Sequence, residues 1–323
     1  MTLDDDLTEE ELEDLAINGT QEEQRAVARH PNASIETLLS LAECGFYIEV
    51  DENPMFPIYV EIGDAKAVNA LAEIAKQTER PERLKELATS VWTWVQRNVA
   101  SNRNTSSETL EILAEHEDWP VRRGVSKNMN TTSKVLEILA KDNVKDVRCG
   151  VAGHLNTPPS MLAVLAKDHC ELVRRDVATN KNATADTIEI LALDSDEYVR
   201  MNLAENESVP PHVLAILSDD NFDFVRKSVS KNEKTPKEIL RILSKDREDY
   251  VRISVAGNRN TPECAILDLA KDSNHIIRSA VAGNTSAPKI AIDILAKDKS
   301  ETVLRAVSVN WPSVLVNEMK TSR

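Results

Sequence analysis

The sequence predicts an all-α fold, a solenoid of about twelve two-helix repeats, and three observations indicate it. Related segments, most of them starting Val-Arg, recur at a constant spacing, at Val95, Val121, Val147, Val173, Val199, Val225, Val251, Ile277 and Val303. A fixed period of this length is typical of repeat proteins. Within each period the apolar residues follow helical spacing. Only 4% of the 323 residues are aromatic and 8 are glycine, which favours small helical units over a β-rich fold.

Residues 1–22 are predicted to form an acidic N-terminal capping helix. In "LTEEELEDLA" the apolar residues share one helical face, and Thr8 with Glu11 matches a capping box. A polar outer surface is what the terminal repeat of a solenoid needs for solubility. The segment has neither the basic start nor the apolar stretch of a secretion signal, so we expect no export.

Residues 23–94 are predicted to hold degenerate repeats. Weaker copies of the pattern start at Glu23, Phe46 and Ala70, and the steps that lead from these to Val95 are slightly shorter than the regular period. The stretch "GFYIEVDENPMFPIYVEIGD", which looks like a linker, falls inside this series. We therefore expect one continuous solenoid domain.

Residues 95–310 are predicted to form the regular repeats, each with two helices. In "TPKEILRILSKD" Thr235 is expected to cap the second helix, with proline at the first helical position and Leu240 and Leu243 on the buried face. The first helix, "VRKSVSKN" from Val225, has only about two turns. It is predicted to be either a short α-helix or a 3₁₀ helix. Stacking on neighbouring repeats would bury the apolar stripes of both helices.

Residues 311–323 are predicted to form a C-terminal cap. The repeat pattern ends after Asn310 in "VSVNWPSVLVNEM". Trp311 is expected to cover the last core layer. Such a cap would shield the apolar surface that a final repeat otherwise leaves open.

Charge and cysteine content limit the classes of protein to which the chain can belong. The net charge of −15 is concentrated in residues 1–94, which hold 21 acidic and 7 basic residues, so it does not exclude an anionic partner for the regular repeats. Cys44, Cys149, Cys170 and Cys264 are widely spaced without a CxxC pair, which is typical of reduced thiols. No apolar run has the length of a membrane span. The expected location is cytoplasmic.

Three polar positions recur from repeat to repeat. Arginine follows the first valine at Arg122, Arg148, Arg174, Arg200, Arg226, Arg252 and Arg278. Aspartate lies ahead of the next arginine, always at the same spacing, at Asp142, Asp168, Asp194, Asp220, Asp246 and Asp272. Asparagine ends the first helix at Asn102, Asn128, Asn180, Asn206, Asn232, Asn258, Asn284 and Asn310. We expect the first two to pair as a ladder and asparagine to adopt a left-handed turn, so these residues are interpreted as structural and not catalytic.

The repeat "VRISVAGNRNTPECAILDLAKD" from Val251 resembles those of the leucine-rich repeat variant family, and its Asp-x4-Val-Arg spacing is similar to the ladder of HEAT repeats. The resemblance covers residues 23–310. It implies a right-handed superhelix of alternating α and 3₁₀ helices, with no catalytic residue in the repeat itself. Some members carry an N-terminal cysteine cluster for an iron–sulfur centre. This chain has only Cys44 in that region, so no cofactor is expected.

The HEAT resemblance implies that the first helices line a concave face. Counted from the first valine, positions 3 and 7 of these helices share an exposed face. Basic residues recur there, and we predict an anion-binding stripe made of Arg97, Arg123, Lys127, Arg175, Lys227 and Lys231. The alternative is a solvated face without a partner.

Two further clusters have a structural and a functional interpretation. His116 and His154 interrupt the aspartate and asparagine positions, and His154 with His169 and Cys170 could hold a metal. Sequence drift is the favoured interpretation because no ligand spacing is recognisable, so no metal site is predicted. The second cluster consists of Trp92, Trp94 and Trp119. The first interpretation is that these side chains fill the core, and the second is that they contact an aromatic ligand.

The predicted function is a non-enzymatic scaffold that binds another protein or an acidic peptide through the concave face. The alternative is nucleic-acid binding, related to HEAT-like DNA alkylation repair proteins. Few aromatic residues and a balanced charge after residue 94 count against it. No catalytic motif, membrane contact or small-molecule substrate is predicted.

Overall fold

The computed structural model describes residues 3–4 and 6–312 of the chain. These residues form 24 α-helices and no strand. The predicted all-α solenoid of two-helix repeats is therefore confirmed. Residues 313–323, which belong to the predicted C-terminal cap, lie outside the described residues. In the part that is described, no helix is long and apolar enough to cross a membrane.

The helices alternate between the two kinds that the repeat predicts. The first helices are α2 (Gln21–Ala28), α4 (Tyr47–Asp51), α6 (Ala65–Gln77), α8 (Thr93–Ser101), α10 (Trp119–Lys127), α12 (Lys145–Gly153), α14 (Glu171–Thr179), α16 (Glu197–Glu205), α18 (Asp223–Lys231), α20 (Asp249–Gly257), α22 (His275–Gly283) and α24 (Glu301–Asn310). The second helices are α1 (Glu9–Asn18), α3 (Ile35–Glu43), α5 (Phe56–Glu61), α7 (Pro81–Leu87), α9 (Ser107–Leu113), α11 (Ser133–Leu139), α13 (Pro159–Leu165), α15 (Ala185–Ala192), α17 (Pro211–Leu217), α19 (Lys237–Leu243), α21 (Glu263–Leu269) and α23 (Lys289–Leu295).

The chain divides into two compact units, unit 1 (Met1–Asn156) and unit 2 (Thr157–Arg323). In unit 1 the first helices α6, α8, α10 and α12 pack on one another in sequence. In unit 2 the first helices from α14 to α24 do the same, and they approach each other over more of their length than the second helices do. The first helices therefore line the inner side of unit 2. Three features stay predictions: the boundaries at residues 22/23, 94/95 and 310/311, the single continuous domain, and the right-handed course of the superhelix.

The alternative that one helix of each repeat is 3₁₀ is wrong, because both are α-helices. In the regular repeats the first helix is also the longer of the two: α18 has nine residues and α19 has seven. Val225 and Val229 of α18 are completely buried, and Leu240 and Leu243 of α19 are at most 2% exposed. Burial of apolar surface stabilises a fold by about 25 cal/mol per Å², so these side chains help to hold a repeat to its neighbours.

The start of the second helix differs by one residue from the prediction. Pro236 is the N-cap of α19, and Thr235 instead donates its hydroxyl to the carbonyl oxygen of Val229 at 2.5 Å. In a repeat without this proline, Thr132 takes the N-cap position and accepts the N–H of Val135. Threonine thus ties the end of the first helix to the start of the second, and proline fixes an extended φ at the cap.

Hydrogen bonds hold both ends of the described chain. Thr8 caps α1 and accepts the N–H of Glu11, whose side chain returns to Thr8, so the predicted capping box is confirmed. At the other end Trp311 donates its indole N–H to the carbonyl oxygen of Ala282 at 2.9 Å. This bond joins the end of α24 to α22.

Candidate functional site

The arginine and aspartate ladders meet as ion pairs, most of which are partly buried. Each guanidinium donates to a carboxylate in the loop before the next first helix, with Nε–O distances of 2.5–2.9 Å, in the pairs Arg122–Asp142, Arg174–Asp194, Arg200–Asp220, Arg226–Asp246, Arg252–Asp272 and Arg278–Asp298. A second bond runs from Nη1 to the aspartate carbonyl oxygen in the loop before the arginine's own helix, as from Arg148 to Asp142 and from Arg174 to Asp168. Each arginine thus joins its first helix to the loops on both sides of it.

The charges of the ladder are fixed by these contacts. The hydrogen bond from Arg278 lowers the pKa of Asp298. Burial raises the pKa of Asp246, but the hydrogen bonds from Arg226 and from the N–H of Glu248 outweigh burial and lower it below its usual value. In these two pairs the carboxylate stays ionised and bonded to its guanidinium, so neither pair offers a group poised for acid–base chemistry.

The prediction that asparagine ends the first helix in a left-handed turn is wrong. Asn258 has φ −75° and ψ 125°. Among the described residues, no residue other than glycine has a positive φ. Its Nδ2 donates to the carbonyl oxygens of Ser230 at 2.9 Å and Asn232 at 3.2 Å, in the preceding repeat, while Oδ1 accepts the N–H of Asn260. Asparagine suits this position because its amide group donates to the preceding repeat and accepts a local N–H at the same time.

The two histidines that interrupt the ladders also form hydrogen bonds at the ladder positions. At the asparagine position His154 contacts the carbonyl oxygen of Asn128 through Nε2 at 2.8 Å and accepts the N–H of Asn156 through Nδ1 at 2.9 Å. At the aspartate position His116 contacts Gln96 at 2.8 Å. Within the described ranges, no group of three His, Cys, Asp or Glu residues is arranged to hold a metal.

The predicted basic stripe is only partly available to a ligand. Arg97 donates to Asp118 at 2.7 Å in unit 1, and Arg175 forms a two-bond pair with Asp196 at 2.9 and 2.8 Å in unit 2. The hydrogen bond from Arg175 also lowers the pKa of Asp196. The repeat pattern predicted these cations but not their acidic partners, each of which is the N-cap of the next first helix.

The other four stripe residues have different surroundings. Arg123 and Lys127 border a cavity of about 240 Å³ in unit 1. Lys231 borders a cavity of about 540 Å³ in unit 2, where Glu205, Glu207 and Glu233 also line the wall. Lys227 lies over aromatic rings. The six residues therefore do not form one continuous stripe of free positive charge.

A row of four aromatic side chains in unit 2, the ring row, was not predicted. The ring centroids of Tyr198 and Phe222 are 5.6 Å apart, those of Phe222 and Phe224 are 5.5 Å apart, and those of Phe224 and Tyr250 are 5.5 Å apart. The last two rings are stacked, with an interplanar angle of 22°. Tyr198 and Phe224 are each 43% exposed, so the row forms an open surface.

The repeat period explains how the ring row arises. Tyr198, Phe224 and Tyr250 each precede the first valine of a repeat and are the second residue of α16, α18 and α20. Leu172 and Ile276 occupy the same position in the flanking repeats and are 38% and 50% exposed. The signal was therefore visible in the sequence as an apolar residue recurring in five successive repeats, from Leu172 to Ile276. It lies outside positions 3 and 7, on which the predicted stripe rests.

Two cations of the predicted stripe lie on the ring row. The guanidinium carbon of Arg175 is 4.6 Å from the ring centroid of Tyr198. The Nζ of Lys227 is 5.3 Å from the ring centroid of Phe224 and 5.7 Å from that of Tyr250. Contacts of this kind hold a cation over an aromatic face and leave part of it to solvent.

Tyr250 also has a carboxylate partner. Its hydroxyl donates to Asp223, and this hydrogen bond raises the pKa of Tyr250 to about 12. The phenol therefore stays neutral under ordinary conditions. The ring row thus presents apolar faces beside one cation, Lys227, which has no carboxylate partner among the described residues. The acids at the row, Asp196 and Asp223, already have hydrogen-bond partners.

The tryptophans near the start of the regular repeats lie mostly at the surface. Trp94 is 44% exposed and Trp119 is 40% exposed, so the interpretation that they fill the core is wrong for these two. The rings of Trp92 and Trp94 are 5.3 Å apart and tilted. Trp94 occupies the position before the first valine, as the exposed residues of the ring row do in unit 2.

Comparison with known proteins shows the fold. No family model matches the chain, and no curated protein matches it. Among solved structures, the chain is similar to a leucine-rich repeat variant with a repetitive structural motif, at 24% identity and a TM-score of 0.52, over 68% of this chain and 87% of that one. Two engineered proteins also match at 16% identity. The first has a TM-score of 0.27 and covers 94% of this chain and 88% of its own. The second has a TM-score of 0.13 and covers 94% of this chain and 97% of its own. The first match confirms the predicted resemblance at the level of fold.

Proposed function

We propose that this helical repeat protein, which has the leucine-rich repeat variant fold, is a non-enzymatic scaffold that acts in the cytoplasm and binds another protein. The ring row carries this proposal. In the proposed complex an extended segment of the partner lies along the first helices of unit 2. A repeat surface suits such a ligand because equivalent positions recur along it at regular spacing.

The exposed rings supply the apolar part of the proposed contact. Half-exposed aromatic side chains in direct contact, continued by Leu172 and Ile276, form an apolar surface of a kind that soluble proteins seldom leave without a use. Aromatic anchors contribute large contact area for little loss of side-chain entropy, which is why they dominate protein interfaces. The partner segment is therefore expected to present apolar side chains to Tyr198, Phe224 and Tyr250.

Lys227 supplies the polar part. It lies over the rings of Phe224 and Tyr250 and has no ion pair with a carboxylate among the described residues. Its remaining N–H groups are available to an acidic residue next to the apolar ones in the partner. The proposed ligand is thus an extended peptide in which acidic and apolar residues adjoin, a narrower class than a generally acidic peptide.

The same ring row favours a second candidate, single-stranded nucleic acid, because bases stack on aromatic side chains. The carboxylates at the row weigh against this candidate. Asp196 pairs with Arg175, and Asp223 accepts from Tyr250. Phosphates would be repelled by Asp196 and Asp223 and would find few free cations.

Selection from a displayed library of random short peptides tests the proposal. Peptides would be enriched on the wild-type protein, and their affinities measured by fluorescence anisotropy with synthetic copies. We expect a shared sequence of acidic and apolar residues that binds about tenfold more weakly to Phe224→Ser and to Lys227→Gln. Both side chains are at the surface, so neither change removes a core contact.

The matched control is Ile242→Ser, which removes a side chain that is 58% exposed from the second helix α19. It should bind the selected peptides as the wild type does. Equal affinity for Phe224→Ser would contradict the proposal. Labelled single-stranded DNA that binds the wild type, loses affinity steeply with salt and fails to bind Phe224→Ser would favour the second candidate.

A further inference from the structure

Two cations in unit 1 have no acidic partner and lie outside the surface proposed above. Arg123 and Lys127 are one turn apart on α10, both are exposed, and within the described residues neither forms an ion pair. They border a cavity of about 240 Å³ whose other lining residues are Ser101, Pro120, Gly124 and Asn128. Two adjacent, unneutralised cations at a cavity attract an anion.

The repeat explains why Arg123 has no partner. Other stripe arginines are neutralised by the aspartate at the N-cap of the next first helix, Arg97 by Asp118 and Arg175 by Asp196. The N-cap of α12, the first helix that follows Arg123, is Val144. Without an aspartate at this cap, the guanidinium of Arg123 is available to a ligand.

Glycines shape the cavity around these cations. A Cβ on Gly124 would lie 3.0 Å from the Oγ of Ser101, so the missing side chain lets α8 and α10 approach closely and brings this hydroxyl to the cavity. A Cβ on Gly150 would lie 3.3 Å from the Cγ of Lys127, which shows that the lysine stem runs along α12. Gly153 has nothing within 4 Å of its Cβ position, so the space beside it is open.

We propose that Arg123, Lys127 and Ser101 form a binding site for a phosphate monoester. A guanidinium and an ammonium match the two charges of such a group, and the serine hydroxyl donates to a third oxygen. A carboxylate would neutralise only one of the two cations, so it should bind more weakly. The site lies in unit 1 and does not rest on the function proposed for the ring row of unit 2.

An NMR titration of the full, ¹⁵N-labelled chain tests the site, with the amide signals of Gly124 and Gly150 as local reporters. The probes are inorganic phosphate, a phosphoserine peptide, its unphosphorylated form and acetate. Saturable shifts of both glycine signals are expected with phosphate and with the phosphopeptide, and weaker binding with acetate. Tighter binding of the phosphopeptide would identify a modified protein as the source, and tighter binding of free phosphate would identify a small solute.

The decisive variant is Val144→Asp, which introduces at the N-cap of α12 the same residue type that caps α10 and α16. Asp at this N-cap should pair with Arg123 as Asp118 pairs with Arg97, and phosphate affinity should fall about tenfold. The matched control, Val144→Asn, keeps the shape and capping ability without the charge and should bind as the wild type does. No saturable shift in the wild type, acetate bound as tightly as phosphate, or equal affinity in Val144→Asp would each overturn the proposal.

Discussion

Arg226 and Asp246 form a two-bond ion pair in which the guanidinium Nε and Nη2 donate to the carboxylate oxygens at 2.7 and 2.9 Å. Their side chains are 9% and 7% exposed. The third nitrogen, Nη1, donates to the carbonyl oxygen of Asp220 at 2.8 Å. One arginine therefore fixes the loop before α18 and the loop before α20, which sets the spacing of consecutive first helices.

Removing one partner of this pair should be costly. We expect Asp246→Ala to lower the free energy of unfolding by about 3 kcal/mol, because it leaves the buried guanidinium of Arg226 without its counter-charge. Urea denaturation followed by circular dichroism measures the loss. Glu238→Ala is the control, since its pair with Arg241 is exposed and should contribute no more than about 0.5 kcal/mol. Similar losses in the two variants would contradict the structural role of the ladder.

Acid should weaken the ladder within a defined pH range. The pKa of Asp298 is lowered by the hydrogen bond from Arg278, so this carboxylate holds its proton less tightly in the folded than in the unfolded chain. Its contribution to stability is complete above the unfolded-state pKa of about 4, and it is lost as the pH falls from there through the lowered pKa of the folded state. Urea midpoints measured at successive pH values should fall in that range. Asp298→Asn should be less stable at neutral pH and should lose less on acidification, and an unchanged pH dependence would argue against this account.

The asparagine ladder should tolerate histidine but not alanine. Asn258→Ala removes the bonds to Ser230 and Asn232 and takes from the buried carbonyl oxygen of Ser230 its donor in the next repeat, so we expect a loss of about 2–3 kcal/mol. His154 reaches the equivalent carbonyl oxygen of Asn128 and accepts the same local N–H. We therefore expect His154→Asn to change the free energy of unfolding by less than about 1 kcal/mol. A large loss in His154→Asn would show that the two residues are not equivalent.

The period made the fold and the ladder positions predictable, because a register repeated nine times identifies which residues share an environment. It did not reveal the contacts between periods. The backbone of Asn258 was predicted incorrectly since the carbonyl groups that its amide binds belong to the preceding repeat. A local rule, the left-handed helix end, was applied where a contact between repeats decides the conformation.

The candidate sites show the same division. The sequence located the cations of the stripe, but not the acids that neutralise Arg97 and Arg175, because a pair formed between neighbouring repeats depends on how closely the two stack. The ring row was visible as a recurring apolar position. That Phe224 and Tyr250 touch each other and lie under Lys227 follows only from the geometry of adjacent first helices.

Gln96 and His116 offer a direct test of how the ladder is encoded. They contact each other at 2.8 Å from the two positions at which arginine and aspartate pair elsewhere, and the carbonyl oxygen of His116 accepts from Arg122 at 2.7 Å as an aspartate carbonyl does. We expect the double change Gln96→Arg with His116→Asp to restore the ion pair. Each single change should destabilise the protein, because it introduces one charge at a partly buried position without its partner. A double-mutant cycle from urea denaturation should give a coupling energy of about 1–3 kcal/mol in favour of the double variant. Additive losses would mean that this first regular repeat holds its loop by packing and not by the ladder.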